Sequence, residues 1–151
     1  MKMFALAAAA AFALVAAPVA TAADRETVRP TLNGGPWSWT NAMSLDCLDS
    51  DASGNVYALR CNGGGYQRWT HSENWAGDQI RNAQTGRCLD SDTSGKVYTL
   101  PCNGGNFQRW SLSYNNAGWQ FRNVATSYCL EADHNGRIYA THCNSYFQRW
   151  R

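Results

Sequence analysis

"CLDSDASGNVYALRCNGGGYQRW", residues 47–69, returns as "CLDSDTSGKVYTLPCNGGNFQRW" at 88–110 and, more loosely, as "CLEADHNGRIYATHCNSYFQRW" at 129–150. Equivalent cysteines lie 41 residues apart, and the third copy is one residue shorter just before its glutamine. Self-similarity at a fixed period implies units that share a core none of them can bury alone. Whatever chemistry is assigned to one copy has to suit three.

Within a copy the pattern is that of strands. In "VYALRC" Val56 and Ala58 point one way while Tyr57, Leu59 and Cys61 point the other. "CLD" alternates likewise, with Cys47 and Asp49 on one face and Leu48 on the opposite one. The paired cysteines of each copy, Cys47 and Cys61, Cys88 and Cys102, Cys129 and Cys143, are all 14 residues apart. One bridge inside each repeat is therefore the pairing that treats the copies alike, and each closed loop stabilises by up to about 3 kcal/mol in the chain-entropy model. That bridge brings Asp49 and Tyr57 to one side of a strand pair and turns Leu48, Val56 and Ala58 inward. "SDASGN" has hairpin-turn chemistry, and the glycine-rich "CNGGGY" supplies a second turn. The reading is four short strands per repeat, near "TNA", "CLD", "VYALRC" and "QRW", hence twelve in all. Closing them into a threefold body avoids exposed sheet edges.

The beginning of the chain is of another kind. Lys2 precedes the apolar run "MFALAAAAAFALVAA", and "ATA" at 20–22 has the small residues of a cleavage site. The run falls short of the roughly 20 residues of a membrane span. Residues 1–22 are expected to be a secretory signal peptide, 23–35 a polar lead-in, and 36–151 one all-β domain. An exported chain meets an oxidising compartment, which agrees with disulfides rather than thiols.

Thirteen Lys and Arg stand against 11 Asp and Glu, with both signs scattered. Nucleic-acid and anionic-membrane binders need a local excess of positive charge, so neither partner is expected, nor is membrane insertion. A zinc site lacks its ligand spacing, and no cofactor is implied.

Three copies of Cys-Leu-Asp (Glu in the third), a strand ending in Cys, and Gln-x-Trp resemble the ricin-type β-trefoil lectin, or QxW repeat, family over nearly the whole chain from about Trp37. The resemblance implies a β-trefoil, a six-stranded barrel capped by three hairpins, with up to three shallow sugar sites and with Trp69, Trp110 and Trp150 in the core. Galactose-binding members carry an aromatic two residues before the second cysteine, where this chain has Leu59, Leu100 and Thr141. The resemblance therefore carries over a sugar site but not a named sugar.

Three chemistries compete for the repeated carboxylates. "DSDASG" opens like a calcium loop, but its twelfth position holds Arg60, Pro101 or His142 instead of a bidentate acid, so no metal is expected. A catalytic pair of Asp49 and Asp51 would leave Asp51 in a polar turn with nothing apolar to raise its pKa, and no nucleophile has a repeated base beside it, so an enzyme is not expected. A glycan hook suits the repetition: a fixed carboxylate accepts hydrogen bonds from vicinal hydroxyls while an aromatic covers the carbon face. The candidate carbohydrate-binding residues are Asp49, Tyr57 and Asn62, then Asp90, Tyr98 and Asn103, then Glu131, Tyr139 and Asn144. Asp51 is assigned to its turn. The expected partners are glycans or polysaccharides, bound by weak sites acting through avidity. The alternative is a secreted protein-binding or inhibitory trefoil whose sugar pockets are vestigial.

Overall fold

The computed structural model describes residues 35–151 together with Pro30 and Leu32. The expected signal peptide and most of the lead-in lie outside the described residues. Among those residues the fold is all-β, with ten strands: β1 (Cys47–Ser50), β2 (Val56–Leu59), β3 (Trp69–Ser72), β4 (Gln79–Asn82), β5 (Cys88–Ser91), β6 (Val97–Leu100), β7 (Trp110–Asn115), β8 (Gly118–Asn123), β9 (Cys129–Ala132) and β10 (Ile138–Thr141). β1 pairs with β2, β3 to β6 form one antiparallel sheet and β7 to β10 another. Isolated bridges outside these strands tie distant segments together, including Trp37 to Trp69, Asn41 to Trp150 and Asp78 to Trp110.

Two details differ from the strand count expected above. The "TNA" strand of the first repeat is reduced to bridges at Thr40 and Asn41. The glutamine of each QRW lies in a 3-10 turn, Gly65–Gln67, Asn106–Gln108 or Tyr146–Gln148, and not in a strand. The preceding turn residues set up that 3-10 geometry, and the extended chain resumes only at the following arginine.

The core is layered by the repeat. Trp39, Ile80 and Phe121, at equivalent positions, are all buried, as are Leu48, Leu89 and Leu130, and as are Trp69, Trp110 and Trp150. Each leucine buried in this way stabilises by about 2 kcal/mol. The tryptophans of QRW are core residues, and each indole N–H finds an acceptor: Trp69 Nε1 donates to Leu48 O at 2.9 Å, Trp110 Nε1 to Leu89 O at 3.0 Å and Trp150 Nε1 to Leu130 O at 3.2 Å. A buried indole with its N–H satisfied adds its area without a polar penalty. Those acceptors belong to the leucines beside the repeated carboxylates, so the core holds the "CLD" strands by backbone and side chain together.

Closure depends on three glycines. Thr99 N–H donates to Gly54 O, Ala140 N–H to Gly95 O and Ala58 N–H to Gly136 O, each at 2.8 Å, so every hairpin turn is bonded to the next repeat. These glycines have φ of +96°, +83° and +77°, and a Cβ on any of them would run into a carbonyl of the neighbouring hairpin. Only glycine meets both conditions.

A second ring of contacts uses buried asparagines. Asn82 Nδ2 donates to Tyr66 O at 2.7 Å, Asn123 Nδ2 to Phe107 O at 2.8 Å and Asn41 Nδ2 to Phe147 O at 2.7 Å. Their side-chain oxygens accept from backbone N–H groups two and three residues on, which fixes the following turn.

Candidate functional site

The three disulfides form as the spacing requires, Cys47 to Cys61, Cys88 to Cys102 and Cys129 to Cys143, with Cα atoms 5.0, 5.0 and 5.1 Å apart. Each bridge anchors one end of a hairpin whose register pairs Asp49 with Tyr57, Asp90 with Tyr98 and Glu131 with Tyr139. Directly paired residues project to the same face of the sheet. The carboxylate and the tyrosine of each repeat therefore stand side by side.

The second repeat shows the arrangement most openly. A cavity of about 250 Å³ is lined by Asp90, Asp92, Thr93, Tyr98, Asn103, Gly105 and Phe107. Asp90, Tyr98 and Asn103, the candidates of that repeat, thus meet around one space. Phe107, which precedes the QRW glutamine, closes it with an exposed ring. Phe107 was not among the residues expected at the site.

The carboxylates lie deeper than a surface hook requires. Asp49 and Asp90 are each only 3% exposed. The QRW glutamines account for this. Gln67 Nε2 donates to Asp49 Oδ2 at 2.9 Å and to Arg60 O at 3.1 Å, while its own oxygen accepts from Asn62 N–H at 2.8 Å. Gln108 likewise bonds Asp90, Pro101 O and Asn103 N–H. One amide side chain thereby ties the carboxylate to the turn carrying the candidate asparagine. Sequence reasoning gave these glutamines no role, since a residue 18 positions from its partner leaves no local trace. Burial raises the Asp49 and Asp90 carboxyls above the ordinary aspartate value, and the glutamine hydrogen bond opposes that rise in part. Asp49 Oδ1 is buried with no hydrogen-bond partner.

Other candidates are partly engaged. Asn62 and Asn103 use their side-chain oxygens to cap Gly64 N–H and Gly105 N–H at 2.7 and 2.8 Å, leaving only the amide N–H₂ to meet a ligand. Asn144 donates its backbone N–H to Gln148 Oε1 at 3.0 Å. Asp51 is a turn residue, accepting from Asn55 N–H at 2.9 Å and from Asn55 Nδ2 at 2.7 Å, and those bonds lower its pKa.

The third repeat differs in kind. Tyr139 donates its hydroxyl to Glu131 Oε1 at 2.8 Å, and Gln148 Nε2 donates to Glu131 Oε2 at 2.8 Å. Both carboxylate oxygens are thus engaged internally. Burial, with the bonded carboxylate next, pushes the Tyr139 phenol up to about 12. Among the described residues no group of three or more His, Cys, Asp and Glu is placed to hold a metal ion, and no helix is long and apolar enough to cross a membrane.

The family model described as the ricin-type beta-trefoil lectin domain matches residues 76–151. The fold is similar to the designed threefold symmetric protein ThreeFoil, with a TM-score of 0.68 at 20% identity over 76% of this chain and 94% of that one. SeviL, solved bound to asialo-GM1 saccharide, gives 0.64 at 13% identity over 75% of this chain and 91% of that one. 1,3Gal43A, an exo-beta-1,3-galactanase from Clostridium thermocellum, gives 0.71 at 19% identity over 80% of this chain but only 30% of its own. Identities this low establish the shared fold, and the family match together with the threefold QxW architecture gives the assignment: the chain belongs to the ricin-type β-trefoil lectin domain family.

Proposed function

We propose that the protein is an exported, non-catalytic lectin that binds neutral glycans through the faces of its first and second repeats. The observation that carries this reading is the cavity of the second repeat, where Asp90, Tyr98, Asn103 and Phe107 surround a space of about 250 Å³. In it, the carboxylate accepts from two sugar hydroxyls, the Asn103 amide donates to a third, and the Phe107 and Tyr98 rings cover the carbon face. Gln108 holds Asp90 in place beforehand, so binding does not have to order it. The first repeat offers Asp49, Tyr57, Asn62 and Tyr66 at the equivalent positions. A shallow site of this size binds at about 1 mM, and two such sites on one polymer gain about 10²-fold or more by avidity.

Three disulfides, one per repeat, support export, because such bridges form and persist outside the reducing cytosol. The expected mature N-terminus is Ala23 or Asp24, which N-terminal sequencing of culture supernatant would check.

The function is tested by affinity electrophoresis through gels containing neutral polysaccharides. The wild type should be retarded by at least one of them, Asp90→Ala and Phe107→Ala should each be retarded less, and the Asp49→Ala, Asp90→Ala double variant should be retarded least. A wild type that no polysaccharide retards, or a double variant retarded as strongly as the parent, would replace the lectin reading with that of a protein-binding scaffold.

A further inference from the structure

The loop joining β3 to β4 breaks the threefold pattern. It reads "SENWAGDQIRN" at 72–82 where the next repeat has "SYNNAGWQFRN" at 113–123, so Glu73, Trp75 and Asp78 have no counterparts of their own kind. Trp75 is 99% exposed, whereas five of the chain's other six tryptophans are buried and Trp37 is partly so. A bare indole keeps its whole apolar surface in water, and here it borders a cleft of about 530 Å³ lined also by Glu73, Asn74, Asp78, Ser111 and Val124. That cleft shares no lining residue with the cavity at Asp90.

The loop that presents Trp75 is built rather than loose. Asn74 Oδ1 accepts from Ala76 N–H at 3.0 Å, Gly77 N–H donates to Asn74 O at 2.9 Å, and Asn74 N–H donates to Asp78 Oδ1 at 3.2 Å. Arg109 Nη1 donates to Gly77 O at 3.1 Å, and Gly77, at φ +111°, lies so close to Val124 that a Cβ would come within 2.8 Å of its Cγ2. The charged side chains lining the cleft are Glu73 and Asp78, both acidic.

We infer that the Trp75 cleft is a fourth, non-repeated saccharide subsite, specific for a neutral pyranose. The sugar's carbon face lies on the indole, its hydroxyls donate to Glu73, and the Ser111 hydroxyl lines the same cleft. Two carboxylates lining the cleft repel uronic, sialylated and sulfated sugars. The subsite goes beyond the repeat-borne sites and does not depend on them.

The exposed indole is its own reporter. Acrylamide quenching of the full chain should show an accessible tryptophan component that Trp75→Ala lacks. Titration with neutral gluco-, xylo-, manno- and galacto-oligosaccharides at about 20 mM, well above a millimolar Kd, should abolish that component for at least one of them. Protection should persist in the Asp49→Ala, Asp90→Ala variant, fall in Glu73→Gln, and be absent with oligoglucuronides. The inference is overturned if no neutral oligosaccharide protects Trp75, if the double variant loses the protection, or if oligoglucuronides protect equally. Gel retardation of Trp75→Ala that disappears in the double variant would show the repeat-borne sites intact even if this subsite fails.

Discussion

The hydroxyl of Tyr139 lies 2.8 Å from Glu131 Oε1 and completes the hydrogen bonding of a carboxylate whose other oxygen is held by Gln148. Glutamate is one methylene longer than the aspartate of the other repeats, and that reach brings it to the phenol. A ligand hydroxyl would have to displace an existing charge-assisted bond there, so the proposed third site should bind more weakly than the first two. Glu131→Ala should leave polysaccharide retardation within about a factor of two of wild type, while Asp90→Ala lowers it clearly. In a spectrophotometric titration, Tyr139→Phe should remove the phenol that burial and the bonded Glu131 push up to about 12.

Gln108 is buried at 0% exposure between Asp90 and the turn at Asn103. Replacing it by methionine keeps the volume but leaves Asp90 without its amide partner, a loss of about 2 kcal/mol by the usual penalty for a buried unsatisfied polar group. The thermal midpoint should fall by about 8 °C for a domain of this size. Exposed Arg60, changed to methionine as a control, should shift it little.

Sugar binding should weaken on acidification through a midpoint above 3.8, the ordinary aspartate value, because burial raises Asp49 and Asp90 and only the ionised carboxylate accepts from two hydroxyls. Stability carries the opposite sign for these two groups. Their raised pKa adds stability below about pH 3.8 that is lost as pH rises through the folded value. The turn carboxylates Asp51, Asp92 and Asp133, lowered chiefly by Asn55, by Ser94 and by the Arg137 backbone N–H respectively, add stability above that pH and lose it as pH falls. Isothermal titration from pH 3 to pH 7, alongside denaturation over the same range, should therefore show affinity rising with pH more steeply than stability.

Gly95→Ala should destabilise more than Gly104→Ala. Both glycines have positive φ, which disfavours a side chain by about 1–2 kcal/mol, but a Cβ at Gly95 would also strike Ala140 O of the neighbouring hairpin, whereas at Gly104 it would come no nearer than 4.0 Å, to Arg109 Nη2. Urea denaturation of the two variants would rank them.

The period of 41, the cysteine spacing and the two-residue alternation sufficed for the disulfides and the Asp49 and Tyr57 register, because each is a local or repeated constraint, while the tryptophan core followed from the family resemblance. What escaped was set by contacts between distant segments. Gln67 reaches Asp49 only after the 3-10 turn folds it under the hairpin, and that turn was read as a strand. Asp49 was expected to be an exposed hook and lies almost wholly buried, since no alternation rule conveys how deep a hairpin face sits. Phe107 gains its place from Asn123, a residue of the next repeat. The closure of Glu131 onto Tyr139 turns on one methylene, a difference that reads in the letters as a conservative change.

Each ring-bearing residue at the Tyr66, Phe107 and Phe147 positions has its carbonyl held by an asparagine of the following repeat, with Asn41 completing the circuit at Phe147. A lesion in one unit is thus felt in its neighbour: damage to Asn123 disturbs the proposed binding face of the second repeat, though the asparagine itself belongs to the third. The proposed site is accordingly a joint product of adjacent units, and a single copy excised from the chain would retain its letters without its anchorage.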